Sequence, residues 1–176
     1  MRFFKILIDL FYRLKLDGVS YSRQKGVKVG FDCRVYTTSF GSEPWLIEIG
    51  NKVTVTSGVV ILTHDGSTWL FNDNKGRRFL YKKTVIKNNV FIGVNSIIMP
   101  GVVIEDNVVV AAGSVVTKSV PSGSIIGGNP AKIIGSFDTY KERVLENYIS
   151  EDDINYKLDY KERILKVLDK KEKPFL

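Results

Sequence analysis

VIKNNVFIGVNSIIMPGVVIEDNVVVAAGSVVTKSV, residues 85–120, repeats its chemistry every six residues. Ile86, Ile92, Ile98, Ile104, Val110 and Val116 form an aliphatic column. Three places after each stand Asn89, Asn95, Gly101, Asn107, Gly113 and Ser119. Four places after each stand Val90, Ser96, Val102, Val108, Ser114 and Val120. A period of six fits neither a helix face nor plain strand alternation. It fits a short strand followed by a corner. The aliphatic column points inward and stacks on its counterparts in the coils above and below. The small or β-branched column packs beside it. The Asn/Gly column suits a corner, because those residues tolerate positive φ at least cost. Three such sides close a coil of about eighteen residues, and stacked coils bury one another.

The frame recurs upstream. Val29 and Val35 begin two repeats, and Ile49, Val55 and Ile61 begin three more, with Val53 and Val59 in the second column. The register shifts between 35 and 49, which predicts a bulge or loop near 40–46. It breaks again between 61 and 86. The segment 65–84, DGSTWLFNDNKGRRFLYKKT, lacks the columns and is polar and basic, so it reads as a loop thrown out of the scaffold. Long insertions in a regular scaffold are often functional.

The resulting organisation has three parts. Residues 1–26 form an N-terminal cap, within which 3–16 read as an amphipathic helix with Lys5, Asp9 and Arg13 on one stripe. Residues 27–135 form the repeat domain with the inserted loop 65–84. Residues 136–176 form a charged helical extension. The helix at 3–16 suits two roles: closing the first coil, or lying on an anionic membrane surface.

Composition narrows the function. The chain of 176 residues is 44% hydrophobic and carries a net charge of +7. The positive charge concentrates in the first 28 residues and in the loop, which points to an anionic ligand or surface. It is not organised on a nucleic-acid reading element, so no nucleic-acid partner is expected. The single cysteine, Cys33, cannot form an internal disulfide and reads as a buried structural thiol. One His and one Cys cannot make a metal site alone, so no metal is expected. No cleavable signal peptide or bilayer-spanning run is read, and a cytoplasmic protein is expected.

These repeats resemble the hexapeptide-repeat acyltransferases, in particular the galactoside, maltose and xenobiotic acetyltransferase group. The nearest likeness is to the O-acetyltransferases of bacterial surface polysaccharides. Two stretches carry it: VTVTSGVVILTHDGS, 53–67, and VVAAGSVVTKSVPSGSIIGGNPAKII, 109–134. The resemblance implies an all-β fold, a left-handed parallel β-helix with short flanking α-helices at both ends. It implies acetyl-CoA as co-substrate, a homotrimer with active sites between subunits, and a sugar or glycan acceptor. Capsule, exopolysaccharide or lipopolysaccharide synthesis, at the inner face of the membrane, is the expected setting.

By the same resemblance His64, the only histidine, is the catalytic base. It stands three places after Ile61, in the corner column and directly before the loop. A neutral imidazole can take the proton of a hydroxyl as it attacks a thioester and return it to the leaving thiolate. The backbone at Gly93 and Val94 is implied as oxyanion donor. Ala112, Thr117, Lys118 and Lys132 match acetyl-CoA contacts, and Phe91 matches an aromatic position flanking the thioester, where packing alone also explains it. Gly135 stands where some relatives have a basic residue; that phosphate contact is either absent or supplied by Arg77, Arg78, Lys82 or Lys83. Asp65 is the adjacent carboxylate that could orient His64, although neighbours at a sharp corner often diverge. Tyr36, Ser39, Glu43, Trp45 and Trp69 are candidate acceptor contacts, because aromatic faces and hydroxyls suit sugars. Two alternatives stay open: N-acetylation of a nucleotide-linked amino sugar, and a non-catalytic scaffold.

Overall fold

The structure is a computed structural model, and it describes residues 17–169. The helix expected at 3–16 lies outside them. The chain divides into two compact units after Phe137.

The first unit begins with helix α1 (Gly18–Lys25). Asp17 caps its start, accepting from the Val19 and Ser20 amides, and Gly26 ends it at φ 104°. Next come β1 (Lys28–Val29), β2 (Arg34–Val35), β3 (Ile47–Ile49), β4 (Val53–Val55) and β5 (Val60–Ile61). A small antiparallel ribbon follows, β6 (Asn72–Asp73) with β7 (Gly76–Arg77). The regular run is β8 (Thr84–Ile86), β9 (Val90–Ile92), β10 (Ile97–Ile98), β11 (Val103–Ile104), β12 (Val108–Val110) and β13 (Val115–Val116). It closes with β14 (Ser124–Gly127) and β15 (Lys132–Ser136).

These strands build three parallel sheets, visited in rotation. Their orders are β1-β3-β8-β11, β2-β4-β9-β12-β14 and β5-β10-β13. Within the regular run Ile86 pairs with Ile104, Ile92 with Val110 and Ile98 with Val116, each eighteen residues on. The aliphatic column therefore stacks on itself. Ile86, Ile92, Ile98, Ile104, Val110 and Val116 are all buried, as are Val90, Ser96, Val102, Val108 and Ser114 of the second column. Each fully buried aliphatic side chain contributes about 1.5–3 kcal/mol.

The corners follow the third column. Asp32, Lys52, Asn89, Asn95 and Asn107 have φ between 53° and 58°, and Gly58, Gly101, Gly113 and Gly123 are also positive. Side chains at one corner bind the next coil. Asn51 accepts from the Phe31 amide, Asn88 from the Asn51 amide, and Asp106 from the Asn88 amide, at 2.7–2.9 Å. Each bond supplies an acceptor for an amide that a turn leaves without a ladder partner.

Three departures from eighteen shape the molecule. Val29 pairs with Ile49 and Val35 with Val55, a step of twenty. The excess lies between Phe40 and Ile47, in a segment holding the short 3-10 turn Pro44–Leu46. Ile61 pairs with Ile98, a step of thirty-seven. The surplus of nineteen equals residues 65–83. Thr84 does not belong to the loop, as read from its polarity; it is a fully buried strand residue paired with Ile47. At the far end Ile104 bridges Val120, a step of sixteen. Val120 thus takes the first column rather than the second, because the last coil is two residues short.

β15 runs antiparallel to β14 and is exposed along its length. The repeat domain read as extending to 135 therefore changes character at Lys132. Cys33 is only partly buried, its thiol directed at the Gly50 carbonyl at 3.1 Å. The second unit, described to residue 169, holds most of α2 (Phe137–Asn147) and all of α3 (Tyr160–Val167), joined through a 3-10 turn at Glu151–Asp153. Among the described residues no helix is long and apolar enough to cross a membrane.

Candidate active site

Thr63 and His64 leave β5 at the corner where the next sheet should begin. His64 stands in the corner column but lacks the positive φ found at most other corners. The chain does not turn there. It extends into the loop, and His64 bridges Tyr81 in antiparallel fashion. The Asp65 amide donates to the Leu80 carbonyl at 3.1 Å, and the Lys82 amide donates to Thr63 at 2.8 Å. These bonds clamp the base of the loop and fix the histidine's backbone.

The same corner one coil earlier belongs to Glu43. Ser39 bridges Val60, which brings Phe40 beside Ile61 and Glu43 beside His64. Glu43 Oε2 lies 2.8 Å from His64 Nδ1 and accepts from the Thr63 hydroxyl at 2.8 Å. The His64 side chain is 35% exposed and that of Glu43 15%. Burial pushes the Glu43 carboxyl up, but the hydrogen bonds from His64 and Thr63 outweigh it and hold the group below the usual carboxylate range. An ionised Glu43 fixes the proton of a neutral His64 on Nδ1, leaving Nε2 as the basic nitrogen.

This reassigns two residues. Glu43, read as an acceptor contact, has its carboxylate engaged by His64. Asp65, the adjacent carboxylate, caps the 3-10 turn Gly66–Leu70 and accepts from Ser67 Oγ and the Ser67 amide. Its side chain makes no hydrogen bond to the imidazole. Spacing along the chain could not reveal Glu43, because the two-residue excess and the turn at Pro44 set which residue faces His64.

Gly93 and Val94 occupy a different corner, the one after β9. The pair read as oxyanion donors needs correction. The Gly93 amide already donates to the Val110 carbonyl at 2.8 Å. A side chain at Gly93 would meet the Ala112 nitrogen at 2.5 Å, so this position is glycine for close backbone approach. Val94 is 43% exposed, and its amide has no backbone acceptor among the described residues. Only Val94 retains a free donor. Ala112 lies at this second corner too. Phe91 is exposed on the outer face of β9, in a hollow with Arg34, Thr54, Val109 and Phe137.

Lys118 and Lys132 line a common hollow with Pro121 and Ala131. The two basic residues are thereby brought together although fourteen positions apart, and Thr117 precedes Lys118 on the exposed edge. In the loop, Lys83 binds Glu48 at 3.0 Å and Arg78 pairs with Asp73. Trp45 borders a hollow with Tyr21, Lys25 and Phe40, while Tyr36, Ser39 and Trp69 are exposed; the side-chain partners of His64 among the described residues are Glu43 and Tyr81. Among the described residues no group of three or more His, Cys, Asp or Glu could hold a metal ion.

The family model for bacterial transferase hexapeptide repeats (six repeats) matches residues 83–118. Protein CapG of Staphylococcus aureus is 53% identical over 166 residues, covering 92% of this chain and 94% of that protein. A hexapeptide-repeat acetyltransferase of Vibrio cholerae superposes with a TM-score of 0.61 at 25% identity, covering 73% of this chain and 86% of that one. A structure of a V. cholerae hexapeptide-repeat acetyltransferase in complex with acetyl coenzyme A superposes with a TM-score of 0.51 at 26% identity, covering 73% and 82%. A maltose O-acetyltransferase of Clostridium difficile gives 0.50 at 28% identity, covering 66% and 73%. An eighteen-residue stacking step, a corner opened at its one histidine and 53% identity to a relative over nearly the full length of both agree: the chain is an enzyme of the bacterial hexapeptide-repeat transferase family.

Proposed function

We propose that this enzyme transfers an acetyl group from acetyl-CoA to a hydroxyl of a bacterial surface glycan or its precursor, with His64 as general base. The 2.8 Å contact between His64 Nδ1 and Glu43 carries the reading. A carboxylate behind an imidazole orients the ring and stabilises the imidazolium formed during proton transfer. His64 Nε2 takes the hydroxyl proton as the oxygen attacks the thioester carbonyl. The Val94 amide hydrogen-bonds the oxyanion. His64 then delivers the proton to the departing CoA thiolate, leaving the ester and free CoA.

The fold proposed for residues 27–131 is a left-handed parallel β-helix, the hand being that of the family. His64 and Val94 belong to different corners of the coil. The proposed homotrimer joins one subunit's His64 to a neighbour's Val94 and Ala112. Lys118, Lys132 and Thr117 would hold the nucleotide end of CoA, and Phe91 would flank its approach. The acetyl-CoA-bound Vibrio structure supports the donor, and the maltose O-acetyltransferase supports a sugar acceptor.

Thiol release from acetyl-CoA in the presence of trial glycans tests the reading. His64→Ala should lower kcat at least about 100-fold. Near-normal turnover would remove His64 from the mechanism. Transfer to a nucleotide-linked amino sugar is the second reading, favoured by the loop cations Lys75, Arg77 and Lys82, which have no carboxylate partner among the described residues. A nucleotide-sugar panel run beside the glycans separates the two.

A further inference from the structure

The loop exposes an unusual amount of apolar surface. Trp69, Leu70, Phe71 and Phe79 are each at least 60% exposed, and Tyr81 is 53% exposed. Part of this surface is ordered into a line. Arg77, Phe79 and Tyr81 alternate along the returning segment, so their side chains leave the same side. The Arg77 guanidinium sits 4.5 Å from the Phe79 ring centre. The Phe79 and Tyr81 rings are nearly parallel, 9° apart, with centres separated by 6.2 Å. The Tyr81 ring centre lies 6.2 Å from that of His64. A cation and two aromatic faces thus lead directly to the proposed base.

The charges along this line are unequal. Arg78 is neutralised by Asp73 and Lys83 by Glu48. Arg77 has no carboxylate partner among the described residues. Its contact with Phe79 holds the guanidinium over the ring and consumes no N–H donor. The N–H fork at its edge remains available, and it matches the paired oxygens of a phosphate or carboxylate.

We infer that Arg77, Phe79 and Tyr81 form the acceptor track, and that the acceptor is an anionic saccharide. One sugar ring lies on Tyr81 with a hydroxyl at His64, the chain continues over Phe79, and a phosphate or carboxylate engages Arg77. The inference rests on His64 being the base. Its two possible sources of charge, a nucleotide pyrophosphate and a uronate, share the same recognition by Arg77.

The test is direct binding to the His64→Ala protein, which separates recognition from catalysis. Three probes are titrated by calorimetry: UDP-N-acetylglucosamine, a glucuronate-containing disaccharide and neutral methyl galactoside. At least one anionic probe should bind more tightly than the neutral one, and which one does identifies the source of charge. Adding Arg77→Gln should weaken that probe about tenfold, the worth of a charge-assisted bond. The neutral probe and acetyl-CoA should be unaffected. Adding Tyr81→Ala should weaken the anionic and neutral saccharides alike. Equal binding of all three probes overturns the inference. So does an Arg77→Gln effect on acetyl-CoA instead, which would assign the cation to the donor's phosphates. Full activity of single His64→Ala in the turnover assay would overturn the reading of the base without altering these binding results.

Discussion

Replacing Glu43 with glutamine isolates the charge behind His64. Both hydrogen bonds to this side chain, from His64 Nδ1 and from Thr63, end on the same oxygen, Oε2. A glutamine carbonyl oxygen can occupy that place and accept both. Only the negative charge is lost. Hydrogen bonds to charged groups contribute about 1.5–3 kcal/mol. The 35% exposure of His64 admits solvent screening and favours the lower half of that range. The imidazolium develops only as the proton moves, so the loss falls on the transition state. Glu43→Gln should therefore reduce kcat roughly 10- to 30-fold, at about 1.4 kcal/mol per decade, with the KM for acetyl-CoA unchanged. Glu43→Ala differs in kind. It leaves the fully buried Thr63 without an acceptor for its hydroxyl, and stability should fall by about 1–3 kcal/mol. Steady-state thiol release and thermal melting of both variants distinguish the effects. Wild-type kcat in a fully folded Glu43→Gln enzyme would refute the orienting role. The stability difference between wild type and Glu43→Gln also has a sign in pH. The Glu43 carboxyl is held below its usual 4.5. Its contribution is complete above that value and fades as pH falls through the lower folded-state value.

The remaining expectations are local. Asp65→Asn should change kcat less than about twofold, because its acceptor bonds go to Ser67; a loss comparable to that of Glu43→Gln would return Asp65 to the site. Lys118→Ala combined with Lys132→Ala should raise the KM for acetyl-CoA with kcat preserved, since both side chains border one hollow away from His64. Ile98→Ala should cost about 2–5 kcal/mol in denaturant melts, as a fully buried column residue between Ile61 and Val116. Asn89, at φ 54°, should tolerate glycine better than alanine by about 1 kcal/mol, a comparison that the same melts make directly.

The sequence by itself determined the coil. Six-residue columns from Ile86 to Val116 require a short strand and a corner, because no other local geometry buries every sixth side chain and frees the third place after it. The same columns announced the loop by their absence, and the resemblance drew attention to His64. The ends of the pattern were less legible. Thr84 read as polar loop yet pairs with Ile47, and Val120 shifts column because the last coil is short. Register errors of this kind are invisible to periodicity, which marks spacing and not which coil lies above. Tertiary structure alone decided the partners. Glu43 meets His64 because the two-residue excess between Phe40 and Ile47, with its turn at Pro44, carries it to the same corner, one coil below. Gly93 loses its donor to Val110, and Val94 keeps one, because stacking fixes which amide the ladder uses. Arg77, Phe79 and Tyr81 align with His64 because the loop base is clamped by bonds between residues fifteen to nineteen positions apart. Chemistry per residue is written in the chain, whereas contact between coils exists only once the whole stack is closed.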